Sequence, residues 1–579
     1  MLTKSCKFYE TQKSVSVTDE IINEIITEST KNKVRNSRFL VREVRIQGNV
    51  GVETNKIEYR YTAIVFKTHR PVYFLEEEEN ATYDLIHAFL VLFEIKNYIC
   101  IFKQSTASIE TIINKYFKLI SFEGLSSLID KDTIFQKMNI RNMTLSPQAI
   151  QEKSLVAQNL NGSMSTYGAG RQVPYSFKVN NRGAHQSYNM SSGRINELGP
   201  RAQINETVVW IDTQIKKIMT APSDNFLNNF AKHASPDLLQ KLSPTSLLID
   251  THEIFEHIKQ SGGLFRVIKG ANKPLSDDFT NKLLDILSQV FEIKNLTIKK
   301  KSRLIKNKKT ITLKIPTLNN LFVMSKDDKR SLQQIILQDK LFSICFDNPI
   351  YMYTKGQLFQ DGLGINEIDS LKEIFQVKAN IAAATSEKGK FTASSTKFEQ
   401  DSLFFQVEEI HQNDEILICD DLGNEWADHI SFNATEKTIS FIHSKFKTGN
   451  SSSASNLHDI VGQAIKNLGN MYFKEETFLK KTESFQTTSY SNSSISKFRL
   501  GDYTLLKSNL GNYLSSYITI RKCVLCCPFI SKDEIFKEFD KLKVGTPTRG
   551  HITQLFWIIS SFVHSAKELN VVPVIYCSN

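Results

Sequence analysis

Residues Asp414 to Lys466 constrain the fold more tightly than any other stretch. They read DEILICDDLGNEWADHISFNATEKTISFIHSK, then a Ser-rich gap, then SNLHDIVGQAIKNL. The first part alternates apolar and polar residues with period two, and the last has helical spacing. The pattern predicts strands over Ile416–Cys419, Glu425–Phe432 and Thr438–Lys445, and a helix over Asn456–Leu468. Successive side chains of a strand point to opposite faces. Trp426, Asp428, Ile430 and Phe432 therefore share one face of the second strand, and Ile439, Phe441, His443 and Lys445 share one face of the third. A four-residue connection, Ala434–Lys437, pairs Phe432 with Ile439, Ile430 with Phe441 and Asp428 with His443. Opposite residues have Cβ atoms roughly 4.5–5.5 Å apart. A one-residue slip turns the apolar set outward, so the register is well determined. An Asp, a His and a Lys thus gather at one end of an apolar face. Burying three such groups is costly unless they pair or hold an ion.

This arrangement resembles the PD-(D/E)xK nuclease superfamily, in which an Asp opens the second core strand and an acidic-x-Lys triplet closes the third. The resemblance implies a C-terminal restriction-endonuclease-like α/β core with a mixed sheet. It also implies that Asp428 is the metal-binding Asp, with His443-Ser444-Lys445 as the triplet. Gln463 or Lys466 would be the contribution of the following helix. Catalytic roles then fall to Asp428, His443, Lys445 and Gln463, and metal-ligand roles to Asp428, Glu425, His443 and Asp420. Mg²⁺ takes oxygen ligands and polarises a phosphate; a nearby Lys offsets developing charge. His443 departs from the family pattern by standing where Asp or Glu is usual. Either Glu425, Asp420 or Asp421 compensates, or the preference shifts to Mn²⁺, which accepts imidazole more readily, or the fold persists without activity. At about 100° per residue, Leu457, Ile460, Val461, Ala464 and Leu468 form one stripe of the helix, and Gln463 and Lys466 lie opposite.

At 579 residues the chain is too long for one ordinary core. Its 41% hydrophobic and 23% charged content is that of a folded soluble protein, and the strand-like and helix-like stretches along it predict a multidomain chain of α+β and α/β modules. The N-terminus has no apolar signal-peptide run, and Leu85–Ile95 is too short to span a bilayer. Eight scattered cysteines form no disulfide or zinc framework, so the expected setting is a reducing cytoplasm with no membrane partner. Cys523 and Cys526 have CxxC spacing, but on a strand they point to opposite faces. A net charge of +11 favours a polyanionic partner. No GxxxxGK[ST] occurs, which argues against an ATP-driven motor.

Four regions follow. Residues 1–145 read as an α+β module, with strands from Phe39 and a helix Tyr83–Ile95 after the acidic run Glu76–Glu79, itself a solvated helix start or, less simply, a metal cluster. Residues 146–206 are a Gly/Ser/Asn-rich β connector whose Arg171, Arg182, Arg194 and Arg201 interleave with Tyr167, Tyr175 and Tyr188. Residues 207–378 read as mostly helical, with a basic hairpin over 298–315. There Lys299, Lys300, Lys301, Arg303, Lys308 and Lys309 either track a nucleic-acid backbone or protect an edge strand; Lys466 joins them as a nucleic-acid-binding candidate. Residues 379–579 carry the nuclease-like domain, with Ser386-Glu387-Lys388-Gly389 a loop near the site, Ser402–Val407 a strand, and no catalytic role for either. The resemblance implies a metal-dependent (Mg²⁺ or Mn²⁺) endonuclease acting on nucleic acid, DNA first, in prokaryotic defence against phage or plasmids. A homo-oligomer or a defence partner protein fits the same setting. The alternative is an inactive nuclease-like scaffold that binds nucleic acid or a partner.

Overall fold

The computed structural model describes all residues except 13–14, 52–55, 72–82, 147, 167, 221–224, 262, 269–270, 300, 325–328, 363–366, 545, 547 and 549. Glu76–Glu79, Tyr167 and Lys300 lie outside the described residues. The chain divides into two compact units: Met1–Gly162 with Arg171–Gly362, and Ser163–Gly170 with Leu363–Asn579. The fold is mixed α+β and multidomain, with several sheets. Among the described residues no helix is long and apolar enough to cross a membrane.

The first unit is built on an eleven-stranded sheet that runs from the strand Val41–Val50 at one edge to Glu152–Val156 at the other. The expected boundary at 145/146 does not divide it, because Glu152–Val156 and Gln172–Asn181 pair on either side of Ile134–Asn142. Tyr83–Ile95 is a strand, not the expected helix; it pairs with Ile57–Pro71 and Tyr98–Gln104. A continuous apolar run does not distinguish a buried strand from a buried helix by period; its Phe, Val and Ile content and two paired neighbours settle it as strand. The region after 207 opens on the expected helix, Ile204–Ile218, yet also carries six-, four- and three-stranded sheets. Most of their strands span two to six residues, too few to display a period, so the mostly helical expectation is corrected.

The second unit holds one mixed sheet. Its strands are β1 (Phe375–Val377), β2 (Ile416–Cys419), β3 (His429–Asn433), β4 (Thr438–Ser444), β5 (Phe498–Leu500), β6 (Ile520–Ser531) and β7 (Val572–Ser578). They lie in the order β1-β7-β6-β4-β3-β2-β5. The β1, β7, β6 and β4 pairs are parallel; the β4, β3, β2 and β5 pairs are antiparallel. Because β1 pairs with β7, the second unit begins before the expected boundary at 378/379. Residues Ser402–Val407 are not a strand: Ser402 caps a helix, Leu403–Ile410, by accepting from the Phe405 N–H. A Ser before an apolar run is an N-cap signal, and here it outweighs the β-prone phenylalanines.

Helices cover both faces of the sheet. On one face Ile439, Phe441, Cys523 and Leu525 pack against Leu457, Ile460, Val461 and Ala464 of the helix Ala454–Asn467 and against the helix Gly550–Glu568. This is the stripe the sequence predicts. On the other face Ile442, Val524, Cys526 and Val574 meet Leu403 and Val407. Cys523 and Cys526 therefore do face opposite ways, and all eight cysteines are free thiols.

Candidate metal centre

The β3–β4 hairpin has the register that parity predicts: Phe432 lies opposite Ile439 and Ile430 opposite Phe441. The ladder stops at His429–Ile442, one step short of the expected Asp428–His443 pair, so the expected strand Glu425–Phe432 is shortened at its start. Asp428 remains tied to β4 by its N–H, which donates to the Ile442 carbonyl at 3.1 Å. Its carboxylate, however, accepts from the Ser444 N–H at 2.6 Å. That turns it away from His443 and towards the loop between β2 and β3.

In that loop Asp421, Glu425 and Asp428 each present a carboxylate oxygen, all within 4.8 Å of one another. Leu422 and Gly423 both adopt left-handed backbone angles, with φ of 79°. For Leu422 this costs roughly 1–2 kcal/mol, and strain of this kind is characteristic of functional loops. The Tyr490 hydroxyl donates to Asp421 Oδ2 at 2.6 Å, and Lys388 Nζ lies 2.5 Å from the same oxygen. Glu387 accepts from the Phe446 N–H at 3.3 Å and stands 4.0 Å from Lys445 Nζ. Four carboxylates and two ammonium groups thus collect at the C-terminal end of β4. Burial pushes the Asp428 carboxyl up to about 8, the Ser444 amide opposes this, and the charges of Asp421, Glu387 and Glu425 add to it. Burial lowers the Lys388 ammonium, but Asp421, with the charges of Glu387 and Asp428 adding, holds it above the ordinary lysine range.

The other expected site residues fall elsewhere. Asp420 is buried, but its Oδ1 pairs with Lys481 at 2.8 Å and its Oδ2 accepts from the Trp426 N–H at 2.8 Å; it caps the loop from behind and is not in the carboxylate group. His443 is 3% exposed and its Nε2 has no hydrogen-bond partner. Alternation places it on the Ile439–Phe441 face, and burial, with the Lys466 charge adding, lowers its imidazole to about 4. It is a neutral core group, and the expected ligand role is not what this packing provides. Gln463 and Lys466 lie on the exposed side of their helix, because the apolar stripe faces the sheet. Glu387, Lys388, Asp421 and Tyr490 complete the cluster. Asp421 carries a signal in the sequence, the three acids within the span from Asp421 to Asp428, and Glu387 and Lys388 belong to the loop expected near the site; Tyr490 carries none.

A direct consequence concerns His443. His443→Leu removes an unpartnered buried nitrogen, so stability is expected to hold or rise by up to about 1 kcal/mol, with divalent-ion affinity unchanged. Chemical denaturation and metal titration of the variant check this; loss of ion binding would return the imidazole to the ligand set.

Of the Arg–Tyr group in the connector, Arg171 pairs with Asp361, Arg182 lies near Asp130 and Asp132, and Tyr188 is buried. On the basic segment, Lys299, Lys301, Arg303, Lys308 and Lys309 are all exposed. Comparison with protein-family models, curated proteins and solved structures gives no match for this chain.

Proposed function

We propose that the second unit is a metal-dependent nuclease of the PD-(D/E)xK kind, with its acidic ligands moved from strand to loop. The observation that carries this reading is the convergence of Asp421, Glu425 and Asp428 within 4.8 Å beside Lys445, at the end of an antiparallel hairpin continued by parallel strands. His443 replaces the family's strand acid, and the β2–β3 loop supplies carboxylates instead. The donor set is all oxygen, which fits a hard cation such as Mg²⁺ or Mn²⁺. Oxygens around Mg²⁺ at about 2.1 Å stand at most ~4.2 Å apart, so small side-chain rotations would close the three around an ion. Asp421, Glu425 and Asp428 would hold it, and a bound ion would supply Lewis-acid chemistry at a phosphodiester.

The chain's own groups have separable tasks. Ser444 N–H orients the Asp428 carboxylate, and Tyr490 orients Asp421. Lys445, part exposed and loosely held by Glu387, is the cation available to a scissile phosphate. Lys388 neutralises Asp421 and keeps the loop folded before an ion arrives. DNA is the first substrate to test, and a role in prokaryotic defence belongs to the same proposal. The same Lys388–Asp421 pair also favours a second reading, in which the lysine stands in for the ion and the unit binds without cutting.

The test is cleavage of plasmid, linear duplex DNA and single-stranded RNA with Mg²⁺, Mn²⁺ or EDTA. Wild type, Asp421→Asn and Lys445→Met are run in parallel. Metal-dependent cutting lost in both variants supports the nuclease. Nucleic-acid binding with no cutting under any condition supports the scaffold.

A further inference from the structure

The basic segment of the first unit forms a three-stranded antiparallel ribbon: Thr297–Lys299, Ser302–Lys306 and Ile311–Lys314. Leu304, Ile311 and Leu313 enter the core, so alternation turns Arg303, Thr312 and Lys314 to the other face. Lys299, Lys301, Arg303, Lys308, Lys309 and Lys314 are all exposed, and none of these six forms an ion pair with a described residue. Lys306 is the exception in kind, since it donates to the Gln240 and Leu242 carbonyls. Arg303 and Lys314 are direct cross-strand partners. Like charges placed opposite one another are destabilising, and a surface lysine face needs no such pairing. At the ribbon's edge a cavity of about 400 Å³ is lined by Phe291, Thr297, Lys294 and Lys299, with Glu292 occupied by Lys294. Lys299 sits over the Phe291 ring.

We propose that this ribbon is a nucleic-acid interface that grips the phosphate backbone, with Arg303 and Lys314 sharing one phosphate. A phosphate between the two removes their repulsion, and the remaining cations extend the contact in both directions along the ribbon. The contact is electrostatic and independent of base sequence. It does not depend on cleavage, because it is measured in EDTA.

The experiment uses the full chain with fluorescent duplex DNA, single-stranded DNA and single-stranded RNA across a salt series. Poly-glutamate serves as the acidic polypeptide. Wild type is compared with Lys301→Gln/Arg303→Gln/Lys314→Gln and with a charge-matched control, Lys118→Gln/Lys153→Gln/Lys241→Gln. The expected result is at least one nucleic acid bound with a steep salt slope. In the ribbon triple the slope falls by roughly 2–3 and affinity at 150 mM salt by at least ~10-fold, while the control is unchanged. Lys314→Glu alone weakens binding without lowering the melting midpoint, because it replaces the repulsive pair with an attractive one. Equal losses in both triples, no nucleic-acid binding by wild type, or equally tight binding of poly-glutamate at the ribbon overturns the proposal. So does a melting midpoint that drops in Lys314→Glu.

Discussion

Asp428→Asn is expected to lower metal-dependent cleavage by at least ~10²-fold, since it removes the central oxygen anion of the ligand set while keeping an acceptor for the Ser444 N–H. The same substitution carries a pH signature that requires no substrate. The folded Asp428 carboxyl is pushed up to about 8, against roughly 3.9 for an unfolded Asp. Between those values the folded chain keeps a proton that the unfolded chain has released. Its contribution to stability is therefore fully present below about pH 4 and is lost as pH rises towards 8. Asparagine cannot ionise, so in EDTA the variant gains on wild type across this window and the gap levels off above pH 8. Denaturation at pH 4, 6 and 8 checks the sign; a gap that shrinks with rising pH refutes the assignment. Saturating Mn²⁺ is expected to close the gap by stabilising wild type alone.

Phe441→Ala is expected to cost about 3–5 kcal/mol, the range for truncating a fully buried aromatic. Phe441 is 0% exposed. It stacks on Trp426 and on Phe473, with ring planes 22° and 15° apart. Its strand pairs with Ile430 on one side and Cys523 on the other. Against a typical total of 5–15 kcal/mol, that loss brings the unit close to unfolding. Phe441→Leu, which keeps most of the volume, is expected to cost under about 1.5 kcal/mol. Denaturant midpoints for the two variants test the core packing. Equal small effects would show that the aromatic stack adds little.

Much of the second unit is legible in its sequence, and the reasons are local. Parity and a four-residue connection fix the Phe432–Ile439 and Ile430–Phe441 pairs, and the stripe from Leu457 to Leu468 fixes which side of its helix is buried. The site is less legible because it forms where the periodic pattern ends. Asp428 lies just beyond the last paired residue, His429, where the loop carrying Leu422 and Gly423 in left-handed angles begins to supply its neighbours, and parity says nothing about residues off a strand. Tyr490 reaches Asp421 from a distant segment, which no spacing within one motif announces, and the loop of Glu387 and Lys388, expected near the site, supplies charges to it that its sequence does not specify. His443 is where parity puts it, on the apolar face, and for that reason it is a core residue. Tyr83–Ile95 illustrates the opposite failure: its apolar run is real, and only its pairing with two long neighbours decides that it is a strand.

The most direct test of the loop-borne metal site is calorimetric titration of Mn²⁺ into the full chain at pH 7 in two buffers of different ionisation enthalpy. The account predicts one saturable site with release of nearly one proton per ion, because Asp428 must give up its proton to bind. It also predicts that Asp428→Asn abolishes both the binding and the release. No saturable binding, or binding that persists unchanged in Asp428→Asn, would contradict it.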